Sequence, residues 1–191
     1  MKLELYGSYT SPFVRHCRIA LIETGLDFTL IETDQQQSDK LVNTKKVPFF
    51  DICDEAGQTM RLSDSSSILR FIREKAGQSF MPTLLDLENF CFINTQQDTG
   101  ANVFYLEKFG INTENNAYIV RQHSRIQQGL KSLNDMNISF KENDDVSIRL
   151  ACYLDWGLFR QRFTLDAYPN LQHILTSANT YAPFQQTPPT E

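Results

Sequence analysis

The chain has 191 residues, 41% apolar and 21% charged, enough to bury the core of one large domain or two small ones. Its net charge is −5 and its pI about 5.2. Residues 1–80 carry 10 basic and 11 acidic side chains and residues 81–191 carry 8 and 12, so no basic half is hidden and nucleic-acid binding through phosphate contacts is excluded.

In chain order, Leu3–Tyr6 reads as a strand. Pro12–Thr24 reads as a helix with apolar Phe13, Ile19, Ala20 and Ile22 and a stop at Gly25. Phe28–Glu32 is a second strand, and Gln35–Thr44 is polar and either irregular or a short helix. Val47–Ile52 and Thr59–Leu62 form two strands joined by Asp54-Glu55-Ala56-Gly57. Ser65–Lys75 is a helix with Ile68, Leu69, Phe71 and Ile72 on one side. The order β-α-β-α-β-β-α predicts a mixed four-stranded sheet whose first connection is a parallel crossover. Pro48 belongs at the first residues of its strand, where a cis Val47–Pro48 bond is admissible.

Residues 78–83 read as a linker, after which the alternation ends. Leu84–Phe109, Asn115–Met136 and Val146–Arg160 are long helices, the last capped from residues 144–147. Pro169–Ser177 is a final helix with proline in its first turn, and Phe184–Glu191 is a polar tail. The organisation is an α/β domain over 1–77 and an all-helical domain over 84–191. Cys17, Cys53, Cys91 and Cys152 form no Cys-x-x-Cys pair, which predicts reduced, mostly buried thiols in a cytoplasmic protein. No signal sequence and no 18-residue apolar run is seen, so no membrane association is expected.

The most informative stretch is Tyr9-Thr10-Ser11-Pro12-Phe13-Val14-Arg15-His16-Cys17-Arg18. It sets a hydroxyl where a strand gives way to a helix N-terminus, among unpaired N–H groups and the positive end of the helix dipole. Ser11 reads there as an N-cap, as an anion ligand, or as both. Asp64-Ser65 opens the third helix in the same two ways. His16, His123 and His173 show no spacing for a metal or a triad, Arg149 reads as a buried, paired arginine, and no metal site is predicted.

Four pieces, Ser8–Arg15, Lys46-Val47-Pro48, Ser63–Ile68 and the late helix Ile148–Arg160 with Tyr168–Leu171, resemble in order and spacing the cytosolic glutathione transferases. The first piece is most similar to bacterial members with an active serine, and also to the omega class, where cysteine takes the place of Ser11. The resemblance implies a thioredoxin-like N-terminal domain, an all-α C-terminal domain and a homodimer. It implies glutathione as co-substrate and conjugation of its thiolate to a small, largely apolar electrophile, in detoxification. Glutathione's thiol is mostly protonated at neutral pH, so a hydroxyl that donates to sulfur lowers its pKa. That role falls to Ser11, with Thr10 beside it and Tyr6 as runner-up. Phe13, Lys46, Val47, Pro48, Asp64 and Ser65 would hold glutathione: the Val47 backbone the cysteinyl part, as an added strand would, and Asp64-Ser65 the γ-glutamyl end. The family's Asn-Pro-x-Gly-Lys is replaced here by Val42-Asn43-Thr44-Lys45-Lys46, and whether Lys40, Lys45 or Lys46 meets the glycyl carboxylate stays open. Phe104, Tyr105 and Trp156 would wall the electrophile pocket. Two other readings are a glutathione-dependent thiol reductase, which usually needs cysteine at position 11, and a non-catalytic binding protein on the same fold. Cys17, about two turns into its helix, reads as a structural thiol.

Overall fold

The computed structural model describes residues 1–136 and 138–190. They form two compact units: Met1–Pro82 together with the segment from Thr180 onward, and Thr83–Asn179.

The first unit is built on a four-stranded sheet of β1 (Lys2–Gly7), β2 (Thr29–Glu32), β3 (Phe49–Cys53) and β4 (Thr59–Leu62), in the order β2-β1-β3-β4. β2 runs parallel to β1, while β3 and β4 are antiparallel to their neighbours. This is the mixed thioredoxin-like sheet expected. Period-2 alternation sends Leu3 and Leu5 of β1 to the buried face. There α1 (Pro12–Thr24) and α3 (Ser65–Lys75) pack on each other, and Val14, Cys17, Ala20, Leu21, Ile68, Leu69 and Ile72 close the core. On the other face Tyr6 stacks on its cross-strand partner Phe49 at 4.4 Å. Arg61 spans that face, gripping Asp51 through two bonds of 2.6 and 2.5 Å and reaching the Leu41 carbonyl.

Of the two readings of Gln35–Thr44 the short helix is the one formed, α2 (Gln35–Leu41), with Asp34 and Gln37 in a reciprocal capping box. Two expectations are corrected. β3 begins at Phe49 rather than Val47, since Pro48 lacks the N–H that a ladder needs. The polar tail is partly buried: α8 (Ala182–Gln185) folds onto α1, with Phe184 only 1% exposed and Thr187 buried. Arg15 donates to the Phe184 carbonyl at 3.1 Å, and its guanidinium lies 3.7 Å from the Phe184 ring centroid. Apolar Phe184 outweighs the polar composition around it. Glu191, the last residue of the expected tail, lies outside the described residues.

The second unit consists of α4 (Leu84–Lys108), α5 (Ala117–Asp135), α6 (Asp145–Phe159) and α7 (Pro169–Ala178). α6 is buried nearly all round from Asp145 to Leu154, with Ser147 and Arg149 buried among its apolar residues. It packs on α4 and α7, and α5 packs on the same two helices. Asp144 caps α6 by accepting from the Ser147 amide at 2.9 Å. Thr83 and Asp86 form a capping box on α4. α5 starts at Ala117 rather than Asn115, because Asn116 takes the N-cap and accepts from the Tyr118 amide. Arg149 is fully buried, with its guanidinium 4.8 Å from the Phe90 ring centroid. Cys17 and Cys152 are buried, Cys53 is half-buried and Cys91 is exposed on α4, so the expectation of mostly buried thiols holds for only two of the four.

Candidate functional site

The sheet register gathers the candidate residues of the first unit. The β1–β3 ladder reaches Tyr6↔Phe49 and the β3–β4 ladder reaches Phe50↔Leu62. Just past those last pairs lie the β1–α1 loop with Thr10 and Ser11, the Val47–Pro48 approach to β3, and the β4–α3 turn with Asp64 and Ser65. Three segments distant in sequence therefore lie at one end of one sheet.

Gly7 sets the start of this site. A Cβ there would lie 2.3 Å from Cγ2 of Val14, so only glycine lets α1 close onto β1. Ser11 is the N-cap of α1, extended at φ −76° and ψ 122°, and its Oγ accepts from the Val14 amide at 3.4 Å. A serine hydroxyl accepts through lone pairs and keeps its own proton. Capping therefore leaves the Ser11 O–H available to donate to an anion above the helix N-terminus. The Thr10 hydroxyl lies 3.2 Å from Ser8 Oγ, within the loop. Tyr6, stacked on Phe49, donates to Glu4 at 3.3 Å. Burial, together with the Glu4 and Asp51 charges, pushes its phenol above the ordinary value, and these contacts give it a packing role.

Val47 is half-buried and Pro48 buried, and the bond between them is cis. Lys40, Lys45 and Lys46 are exposed. Lys45 has φ +52°, in the left-handed region, at the place where the family pattern carries glycine. Asp64 caps α3 by accepting from the Ser66 amide at 2.8 Å, and the Ser67 hydroxyl donates to the Asp64 carbonyl. Ser65, at the first position of α3, is 4% exposed. Phe13 is half-buried in the first turn of α1.

Phe104, Tyr105 and Trp156 belong to the second unit and meet one another: the Phe104 ring is 5.5 Å from Tyr105 and 6.1 Å from Trp156, both edge-on. Trp156 is buried against Gly100, where a Cβ would come within 3.2 Å of its ring. Tyr105 is 45% exposed. Beside them a cleft of about 300 Å³ runs between α4 and α5, lined by Val103, Tyr105, Leu106, Phe109, Tyr118 and Gln122 among others. Among the described residues no group of three or more His, Cys, Asp or Glu could hold a metal ion, and no helix is long and apolar enough to cross a membrane.

Sequence reading missed three cations around Phe104. Lys108 Nζ, Arg160 Cζ and Arg162 Cζ lie 4.6, 5.1 and 5.7 Å from the ring centroid. Lys108, four residues after Phe104 on one helix, was legible as a same-face neighbour. The two arginines follow α6, and only the packing of α6 on α4 brings them there.

Residues 5–80 match the family model described as "Glutathione S-transferase, N-terminal domain". Solved structures align over nearly the whole chain. A glutathione transferase family member from Pseudomonas fluorescens with bound glutathione is 21% identical with a TM-score of 0.83, covering 100% of both chains. The fold is that of the glutathione transferases. A second glutathione transferase structure, from Methylobacterium radiotolerans in complex with glutathione sulfonate, is 18% identical with a TM-score of 0.82, covering 100% of this chain and 97% of that one. Maleylacetoacetate isomerase from Anaeromyxobacter dehalogenans shares the same glutathione-transferase-like fold. Its structure, with dicarboxyethyl glutathione and citrate in the active site, is 22% identical with a TM-score of 0.76, covering 98% and 94% of the two chains. No curated protein matches the chain.

Proposed function

We propose that this protein is a bacterial-type, serine-dependent glutathione transferase whose site lies at the end of the sheet where Ser11, Val47 and Ser65 converge. The observation that carries the reading is that convergence, formed within the segment that matches the glutathione transferase N-terminal model. Glutathione lies extended along the Val47–Pro48 segment, its γ-glutamyl carboxylate at the N-terminus of α3 and its sulfur at the N-terminus of α1. Ser11, with Thr10 beside it, stabilises the thiolate by donating its hydroxyl proton into a hydrogen bond. Phe13 and Pro48 shape the cradle, Asp64 and Ser65 fix the γ-glutamyl end, and Lys46 faces the glycyl carboxylate. The thiolate then attacks a small, largely apolar electrophile. Two subunits form the working protein, which acts in the cytoplasm.

The reductase reading is disfavoured because Ser11 offers no thiol and Cys17 is buried. Calorimetry with glutathione, alongside turnover of 1-chloro-2,4-dinitrobenzene, tests the proposal. Binding weakened by Ser65→Ala together with turnover lost in Ser11→Ala supports it. Failure of the native protein to bind glutathione at millimolar concentration overturns it and leaves the non-catalytic reading.

A further inference from the structure

The Ser11 hydroxyl is held loosely by its own cap. Its Oγ accepts from the Val14 amide at 3.4 Å, beyond the usual N–H···O range of about 2.7–3.2 Å. The aspartate caps of α2, α3 and α6 are tighter, at 2.7, 2.8 and 2.9 Å. The loop before Ser11 supplies the rest of the restraint. The Ser11 amide donates to the Ser8 carbonyl at 3.2 Å, and the Ser8 and Thr10 hydroxyls lie 3.2 Å apart. Tyr9, between them, turns back along α1. The Arg18 guanidinium, in the second turn of that helix, stands 4.8 Å from the Tyr9 ring centroid. That is within the roughly 6 Å over which a cation interacts with a ring face. The contact ties the β1–α1 loop to the flank of the helix that Ser11 caps.

We propose that the Tyr9–Arg18 stack is a positioning device: it holds the β1–α1 loop against α1 so that the Ser11 hydroxyl points at the glutathione sulfur. The inference rests on the transferase reading above and adds two positioning residues to it. Neither side chain needs to touch glutathione. A hydrogen bond weakens steeply as it bends, so a loop that swings away costs thiolate stabilisation first. The tripeptide itself is held by other segments, the Val47–Pro48 approach and the N-terminus of α3. Loss of the stack therefore acts on kcat and on the thiol pKa more than on the KM for glutathione. Tyr9→Leu leaves the Arg18 charge in place, so a loss in that variant reports the stack rather than the charge.

The test measures 1-chloro-2,4-dinitrobenzene turnover and, by ultraviolet titration, the pKa of bound glutathione; the titration serves whether or not this electrophile is turned over. Tyr9→Leu is expected to lower kcat about tenfold and raise the thiol pKa, with the KM for glutathione within about twofold of native. Tyr9→Phe keeps the ring face and is expected to keep native values. Arg18→Gln matches Tyr9→Leu, and the double variant is no worse than either single one, because both remove the same contact. The Tyr9 pair carries the test alone should Arg18→Gln fail to fold. Native kcat and thiol pKa in Tyr9→Leu, an equal loss in Tyr9→Phe, or additive losses in the double variant overturn the inference while the transferase reading stands. A native protein that binds no glutathione overturns both.

Discussion

Ser11 combines two roles that mutation can separate. Ser11→Asp keeps an acceptor for the Val14 amide but has no proton to give to sulfur and repels a thiolate. It is expected to hold the melting temperature while abolishing turnover, whereas, if the serine served only as a cap, the variant would keep both. Ultraviolet titration of the bound thiolate checks the same point, because the glutathione pKa should rise in the variant. Lys45 supplies a second prediction. A non-glycine residue at φ +52° carries a backbone cost on the order of 1 kcal/mol. Lys45→Gly is expected to stabilise the fold by about that amount in urea unfolding. The residue pattern alone showed that glycine was missing there; that the backbone nonetheless keeps a left-handed turn became visible only with φ in hand.

Helices are held together by a few polar clamps whose partners come from different elements. Glu107 on α4 takes bonds from His123 on α5 and from Arg162 beyond α6. Burial pushes its carboxyl up, but the bonds from His123 and Arg162 outweigh that, and it lies below its ordinary value. A carboxyl whose folded pKa is depressed stabilises the fold above its unfolded value of about 4.3 and loses that contribution as pH falls through the folded value. Glu107→Gln should therefore reduce the loss of stability of the helical unit as pH falls below about 4.3, followed by helical circular dichroism. In the first unit Glu23 on α1 meets Arg73 of α3 at 2.6 Å and accepts from Tyr181 at 2.8 Å, with both ionised side chains essentially unexposed. Removing one partner of such a pair leaves a buried charge, so Glu23→Ala is expected to cost about 3–5 kcal/mol. The helices and strands themselves were legible, because their apolar spacing and caps are local. These clamps were not, since each joins residues that no periodicity relates.

Across the molecule, the strand order and the change to an all-helical unit followed from alternation and its loss after residue 77. The fate of the C-terminal segment did not, because its composition is polar and one buried Phe184 decides it. Phe184→Ala is expected to destabilise the first unit by about 3–5 kcal/mol, read as lost hydrogen-exchange protection in α1. The candidate site was legible where residue chemistry coincides with an element boundary, as at Ser11 and Asp64. The cations around Phe104 were not, because α6 delivers two of them from some fifty residues away. The first unit is discontinuous: the chain leaves it at Pro82 and returns at Thr180. On a ribosome adding roughly 5–20 residues per second, the sheet must wait on the order of 5–20 s for its closing segment. During that interval the surface of α1 that Phe184 covers is open to water, to chaperones and to proteases, although every strand of the sheet has already been made.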